Sequence, residues 1–266
     1  MTTQVTQLFN HIWQQYLEVT PSADKVHQLL GSGNDVINDH VAYRTFNIEK
    51  VNLEKLAAHL IKLGYKECGE YHFEAKKLYA KHFEHADSTQ PKVFISELLV
   101  EEFSPEVQAI IHKLVDQLPT EAVTADNFLY SGKQWDVSFE DYKTLLAESE
   151  YAAWMAAWGY RANHFTVSIN HLENHETIES VNEAVKAGGF ALNSVGGEIK
   201  GDKAVKLEQS STMADKAPVA FSDKTVEIPS CFYEFAKRYP LANGELYTGF
   251  VAASADKIFE STNAAA

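Results

Sequence analysis

The chain has 266 residues and a formal net charge of −14, from 23 Lys+Arg against 37 Asp+Glu. That length suits one large domain or two small ones, and 45% hydrophobic with 23% charged residues excludes a disordered chain. The acidity disfavours nucleic acid and anionic lipid as partners, and no apolar run reaches the roughly 18 residues of a membrane span.

Residues 4–18 have helical periodicity, with Val5, Leu8, Phe9, Ile12, Trp13 and Tyr16 at three- and four-residue steps. Polar, Gly-containing chain follows (PSADK, GSGND), which closes an N-terminal helical segment over 1–34. DHVAYRTFNI is rich in β-branched and aromatic residues and reads as a strand. LEKLAAHLIKLGY puts Leu53, Leu56, Ala57, Leu60 and Leu63 on one helical stripe, with Gly64 placed to end it. KKLYAKHFEH and KVFISELL read as two more strands. Residues 101–160 differ: SPEVQAIIHKLVDQL is a helix with Ser104 as N-cap, and FEDYKTLLAESEYAAWMAAWGY is a second helical stretch. This segment is a helical insertion, either lid or scaffold. Strand character resumes at RANHFTVSIN, followed by the helix ETIESVNEAVKAGG and strands in VKLEQSSTM and KTVEIPSCFYEFAKRY. LYTGFVAASADKIFEST is mixed, and NAAA reads as a frayed tail.

Two segments share one layout. From His40 through a strand and a helix to Gly64-Tyr65 is 24 residues; from His164 by the same route to Gly189-Phe190 is 25. The chain therefore reads as an α+β protein of two βαβββ modules, residues 35–100 and 161–238, with a C-terminal segment over 239–266. Paired modules of this kind join their strands into a cupped mixed sheet. Side chains alternate along a strand, so His164, Thr166, Ser168 and Asn170 share a polar face that lines the cup. Phe165, Val167 and Ile169 face a helix.

Two imidazoles and one carboxylate on separate strands make a facial triad with open positions, which suits iron(II) better than closed structural zinc. The candidates are His40, His164 and Glu234. Glu234 has rivals: Glu227 lies on the same strand run, and Glu97 holds the matching place in the first module. If Glu97 also binds, four protein ligands favour zinc or nickel Lewis-acid chemistry over oxygen activation. Arg44 lies four residues after His40, on the same face and about 13 Å along the strand. It is placed to grip the distal carboxylate of a substrate chelated at the metal, or is a surface arginine at a strand end. Trp154 and Trp158, at helical spacing, read as core. The histidines at 82 and 85 read as part of a charged strand or turn. Cys68 and Cys231 belong to no CxxC pair and read as buried free thiols of a reducing compartment. With no basic, apolar leader at the N-terminus, the expected location is cytoplasmic.

DHVAYRTF, ANHFTVSIN, LEQSST, EIPSCFYEFAKRYP and LYTGFVAASADKIFEST together resemble the 2-oxoadipate dioxygenase/decarboxylase family of the vicinal oxygen chelate superfamily, across roughly the whole chain. The resemblance implies iron(II) held by His40, His164 and Glu234, with zinc or nickel as possible substitutes in a purified sample. It implies that Arg44 holds the distal carboxylate, that Ser254 contacts substrate, and that Gln209 stands beside the site. The implied partners are a 2-oxo acid and dioxygen, and the implied reaction is 2-oxoadipate to 2-hydroxyglutarate with carbon dioxide release. Two other readings remain at this point: a glyoxalase-type metal-dependent lyase or isomerase, and a non-catalytic small-molecule binding protein.

Overall fold

The computed structural model describes residues 3–33 and 35–262; the NAAA tail lies outside them. Helix α1 (Gln4–Leu17) buries Val5, Phe9, Ile12 and Tyr16, the stripe its spacing dictates. The polar stretch after it is a second helix, α2 (Pro21–Gly31), and not open chain. Pro21 opens it, Ala23, Val26 and Leu30 form its buried face, and Ser32 in the left-handed region closes it.

The first module runs β1 (Asn38–Phe46), α3 (Leu53–Ile61), β2 (Lys66–Phe73), β3 (Leu78–Glu84) and β4 (Lys92–Leu98). The insertion holds α4 (Pro105–Gln117), α5 (Phe139–Glu148) and α6 (Glu150–Trp158) with short 3-10 turns. Ser104 caps α4 as expected, its Oγ accepting from the Val107 N–H. The expected single helix after Phe139 is two, because Ser149 turns to φ −152° and caps α6. Helix α6 is buried from Tyr151 to Trp158, so it has no solvent face.

The second module runs β5 (His164–Ser168), α7 (Ile178–Ala187), β6 (Lys200–Asp202), β7 (Leu207–Ser211), a hairpin β8 (Lys216–Ala220) and β9 (Thr225–Pro229), and β10 (Phe232–Arg238). Helix α8 (Ala252–Ile258) and a 3-10 turn (Phe259–Thr262) close the described chain. Eight strands form one mixed sheet in the order β2-β3-β4-β1-β5-β10-β7-β6, and β8-β9 stands apart as a two-stranded sheet. Strand β1 pairs parallel with β4, β5 parallel with β10, and the two modules meet antiparallel at β1·β5. The architecture is thus a duplicated βαβββ unit in an α+β fold.

The duplication is visible residue by residue. Across the junction His40 pairs with Thr166 and Ala42 with His164. Exchanging the modules maps one pair onto the other, so His40 and His164 are equivalent by a local two-fold. Phe165 points away from the cup and packs against Trp13 and Tyr16 of α1, with ring centroids 4.9 and 5.0 Å apart. The helix it meets is therefore α1. The Tyr16 hydroxyl donates to the Phe232 carbonyl, which ties α1 to the sheet centre. Asn170 leaves the strand for a 3-10 turn and exchanges hydrogen bonds with the Arg238 backbone.

Candidate metal centre

Sheet register assembles the centre. Thr166 sits between two neighbours, His40 on β1 and Glu234 on β10. His164 is two residues earlier on β5 and so on the same face. Thr166 is small, and the three longer side chains converge above it. One ligand atom from each of His40, His164 and Glu234 lies within 4.8 Å of the others, and all three residues are buried. His40 Nε2 is 3.6 Å from Glu234 Oε1, and His164 Nε2 is 3.1 Å from Glu234 Oε2.

Both rings are aimed from behind. His40 Nδ1 is 2.8 Å from Asp39 Oδ1, and His164 Nδ1 is 3.0 Å from Asn163 Oδ1. An acceptor at Nδ1 fixes the proton there and leaves the Nε2 lone pair for the centre. Asp39 sits at a register shift in β1, which turns its carboxylate back toward the ring. Arg238 holds that carboxylate with two hydrogen bonds of 2.6 and 2.8 Å. Burial pushes the Asp39 carboxyl up, but Arg238 and His40 override it and leave it well below the usual carboxylate range. Asp39 and Asn163 each directly precede their histidine. The repeat therefore reaches one residue further back than the histidines, a signal present in DHV and NHF.

Burial would also raise the Glu234 carboxyl; His40, His164 and the Gln209 amide bring it below its ordinary value. Gln209 Nε2 donates to Glu234 Oε1 at 2.6 Å. Burial lowers His164, against the opposing pull of Glu234, and so favours the neutral ring a metal needs. Glu234 Oε2 is buried without a hydrogen-bond partner. An orphaned carboxylate oxygen beside two forward-facing imidazole nitrogens fits a divalent cation.

Neither rival carboxylate joins. Glu97 pairs with Thr45, on the opposite face from His40, and accepts from the Leu53 N–H at the start of α3 at 2.8 Å. The two-fold equivalent of Glu234 is Phe94: Phe94 pairs with Ala42 as Glu234 pairs with Thr166. The match between Glu97 and Glu234 is thus corrected by the register. Glu227 lies exposed on the separate hairpin.

The triad opens into a cavity of about 20 Å³ whose lining includes Arg44, Phe94, Gln209, Phe250, Ile258 and Phe259. Arg44 is 2% exposed and is no surface residue. Its Nη1 donates to Glu150 Oε1 at 3.1 Å and its Nη2 to Thr262 Oγ1 at 3.1 Å, while Nε has no partner. The guanidinium also lies over Tyr151 and Trp154, 4.9 and 5.0 Å from their centroids. Helix α6 of the insertion thus walls the Arg44 end of the cup. Trp154 and Trp158 are buried, as core residues should be. Ser254 is buried on α8, facing Gly201 of β6, where an added Cβ would lie 3.1 Å from its Oγ. The next residue, Ala255, lines the cavity. Phe250, edge-on to His40 at 4.8 Å, and Glu150 carry no spacing signal in the sequence, because loop and insertion bring them in.

Residues 2–247 match a family described as 2-oxoadipate dioxygenase/decarboxylase. A chloroplastic/amyloplastic 2-oxoadipate dioxygenase/decarboxylase of Oryza sativa subsp. japonica is 37% identical over 275 aligned positions, covering 93% of this chain and 76% of the relative. Among solved structures, an Oryza sativa hydroxyglutarate synthase in complex with 2-oxoadipate superposes with TM-score 0.89 at 36% identity, over 96% of this chain and 91% of that one. A Shewanella frigidimarina NCIMB 400 protein described as a candidate hydrolase gives TM-score 0.92 at 67% identity, over 95% and 100%. A glyoxalase-superfamily protein of Ralstonia eutropha JMP134, at 23% identity and TM-score 0.73 over 92% and 85%, shares the fold. No helix among the described residues is long and apolar enough to cross a membrane.

Proposed function

The chain belongs to the 2-oxoadipate dioxygenase/decarboxylase family, and on that premise we propose that it is an iron(II)-dependent enzyme that oxidatively decarboxylates a 2-oxo dicarboxylic acid, with 2-oxoadipate going to 2-hydroxyglutarate. The observation that carries this reading is a three-ligand His40/His164/Glu234 set at one end of a cavity with a buried guanidinium at the other. Three ligands leave positions for substrate and dioxygen, whereas a lyase of the four-ligand type lacks its fourth carboxylate here, Phe94 standing in that place.

His40, His164 and Glu234 would hold the iron, which when bound supplies a Lewis-acidic, redox-active centre for a 2-oxo acid and dioxygen. Asp39 and Asn163 keep both histidines in the ligating tautomer. Gln209 fixes the Glu234 carboxylate. Arg44 exchanges Glu150 and Thr262 for the distal carboxylate of the diacid, which orients the substrate end to end. Phe94, Phe250, Ile258 and Phe259 keep water from the reacting carbons. A six-carbon diacid needs more room than about 20 Å³, so its entry displaces side chains of α8 and the 3-10 turn. Ser254, on α8, then comes within reach of substrate. One dioxygen in and one carbon dioxide out balance the six-carbon 2-oxo diacid against the five-carbon 2-hydroxy diacid, so a single decarboxylation suffices.

A cytoplasmic location is part of the proposal and rests on two free thiols, Cys68 and Cys231. The test is reconstitution of metal-free protein with iron(II), zinc or nickel and mass analysis of the product from 2-oxoadipate. Five-carbon 2-hydroxy diacid formed with iron alone is the expected result. Turnover with zinc or nickel and without dioxygen overturns the proposal in favour of a lyase.

A further inference from the structure

A second group of metal-binding side chains lies at the rim of the cup, outside the centre just described. His82 and Glu84 are two residues apart on β3 and share a face. Opposite them β2 carries a register shift between Glu67 and Gly69, so Cys68 is the extra residue of a bulge. Bulges re-aim side chains, and this one brings the thiol to the two β3 groups. One ligand atom each from Cys68, His82 and Glu84 lies within 4.8 Å of the others.

His82 is held for the task. It lies on the charged strand β3, as expected, and is buried there. Gly69 leaves room for its ring: a Cβ there would lie 2.9 Å from Tyr71 Oη and 3.0 Å from two ring atoms of His82. Tyr71 Oη, itself anchored by the Phe250 N–H at 3.1 Å, is 2.9 Å from His82 Nδ1. When Nδ1–H donates to that oxygen, the Nε2 lone pair faces Glu84 Oε1 at 3.0 Å. Lone pair against carboxylate is repulsive unless a proton or a cation lies between. Cys68, expected to be buried, is exposed because β2 is the edge strand of the sheet, so an ion can reach the site from solvent.

We propose that Cys68, His82 and Glu84 form a second divalent-cation site, whose thiolate, imidazole and carboxylate donors select a zinc-type ion, with water completing the coordination. The first centre has no sulfur ligand and is the harder of the two, so the two sites sort metals differently. The sites share a wall: the Phe250 ring lies 5.2 Å from His82 and 4.8 Å from His40. Burial and Glu84 raise the Cys68 thiol, so the ion displaces its proton on binding. Zinc found in a purified sample would then sit at the rim and say nothing about the metal of the triad.

Cobalt(II) tests this, because a thiolate ligand gives an intense sulfur-to-cobalt charge-transfer band that a His-His-Glu centre cannot. Titration of the metal-free full chain should produce the band in the wild type and in His164→Ala. It should be absent in Cys68→Ser, which keeps a folded chain because the side chain is exposed. Zinc after dialysis should fall by one equivalent in Cys68→Ser, with iron content and oxygen uptake unchanged. Cys231 is no substitute, since it is buried with its thiol on the Ala162 carbonyl. No charge-transfer band in the wild type, or a band that persists in Cys68→Ser, overturns the proposal.

Discussion

The two modules share their strand pairings within the main sheet yet contribute unequally to the centre. The second supplies His164 and Glu234; the first supplies only His40, because its equivalent of Glu234 is Phe94. A duplicated fold with both carboxylates would build a four-ligand site around its two-fold. One aromatic in place of one carboxylate leaves three candidate ligands and an apolar wall, which in the proposed function would open positions for substrate. At the edges the asymmetry continues. Counting along the register, Tyr71 on β2 corresponds to Lys200 on β6. The first module ends in a phenol and the rim cluster, the second in a buried ammonium.

The largest effect should come from the strongest contributor. His164→Ala removes a ligand and should lower bound iron below a tenth of an equivalent and turnover by at least about a thousandfold, measured by metal analysis and oxygen uptake. Next is Arg44→Ala, which should keep its iron and lower kcat/KM for the diacid by about a hundredfold, the loss of a buried charge-assisted pair. A monocarboxylic 2-oxo acid should be affected far less. Arg44→Lys should recover only part of the loss, because an ammonium cannot reproduce the two-pronged grip.

Phe94→Glu restores the symmetry. It should keep one metal at the triad, bind zinc there more tightly and lower oxygen uptake about tenfold or more. Unchanged uptake would mean that Phe94 does not guard an open position. The smallest effect concerns Lys200, whose ammonium burial lowers to about 8 against the partial support of Glu234 and Glu198. Between pH 8 and about 10.4 the unfolded chain holds this proton and the folded chain does not, so stability rises with pH across that window. Thermal unfolding of Lys200→Met should lack that rise.

Much of the architecture is legible in the sequence, and what is not has physical causes. His40, His164 and Glu234 are brought together because period-two strands and the repeat place them on one face. Strand β2 is obscured because it is a largely exposed edge, and KECGEYHF has no apolar alternation to read. Helix α2 is obscured by its polar face, although Pro21 and Ala23, Val26 and Leu30 mark it. The split at Ser149 hides in a continuous helical pattern. Glu97 misleads because, read without register, it is matched three residues beyond Phe94, and an odd offset reverses the face. Glu150 and Phe250 reach the cavity from an insertion and a loop, which no period announces.

The most direct test of the central claim is simultaneous recording of dissolved oxygen and carbon dioxide after 2-oxoadipate is added to anaerobically iron-loaded protein, with His164→Ala beside it. One carbon dioxide released per dioxygen consumed, in the wild type alone, is the predicted result. No oxygen uptake across a panel of 2-oxo acids despite bound iron would contradict it.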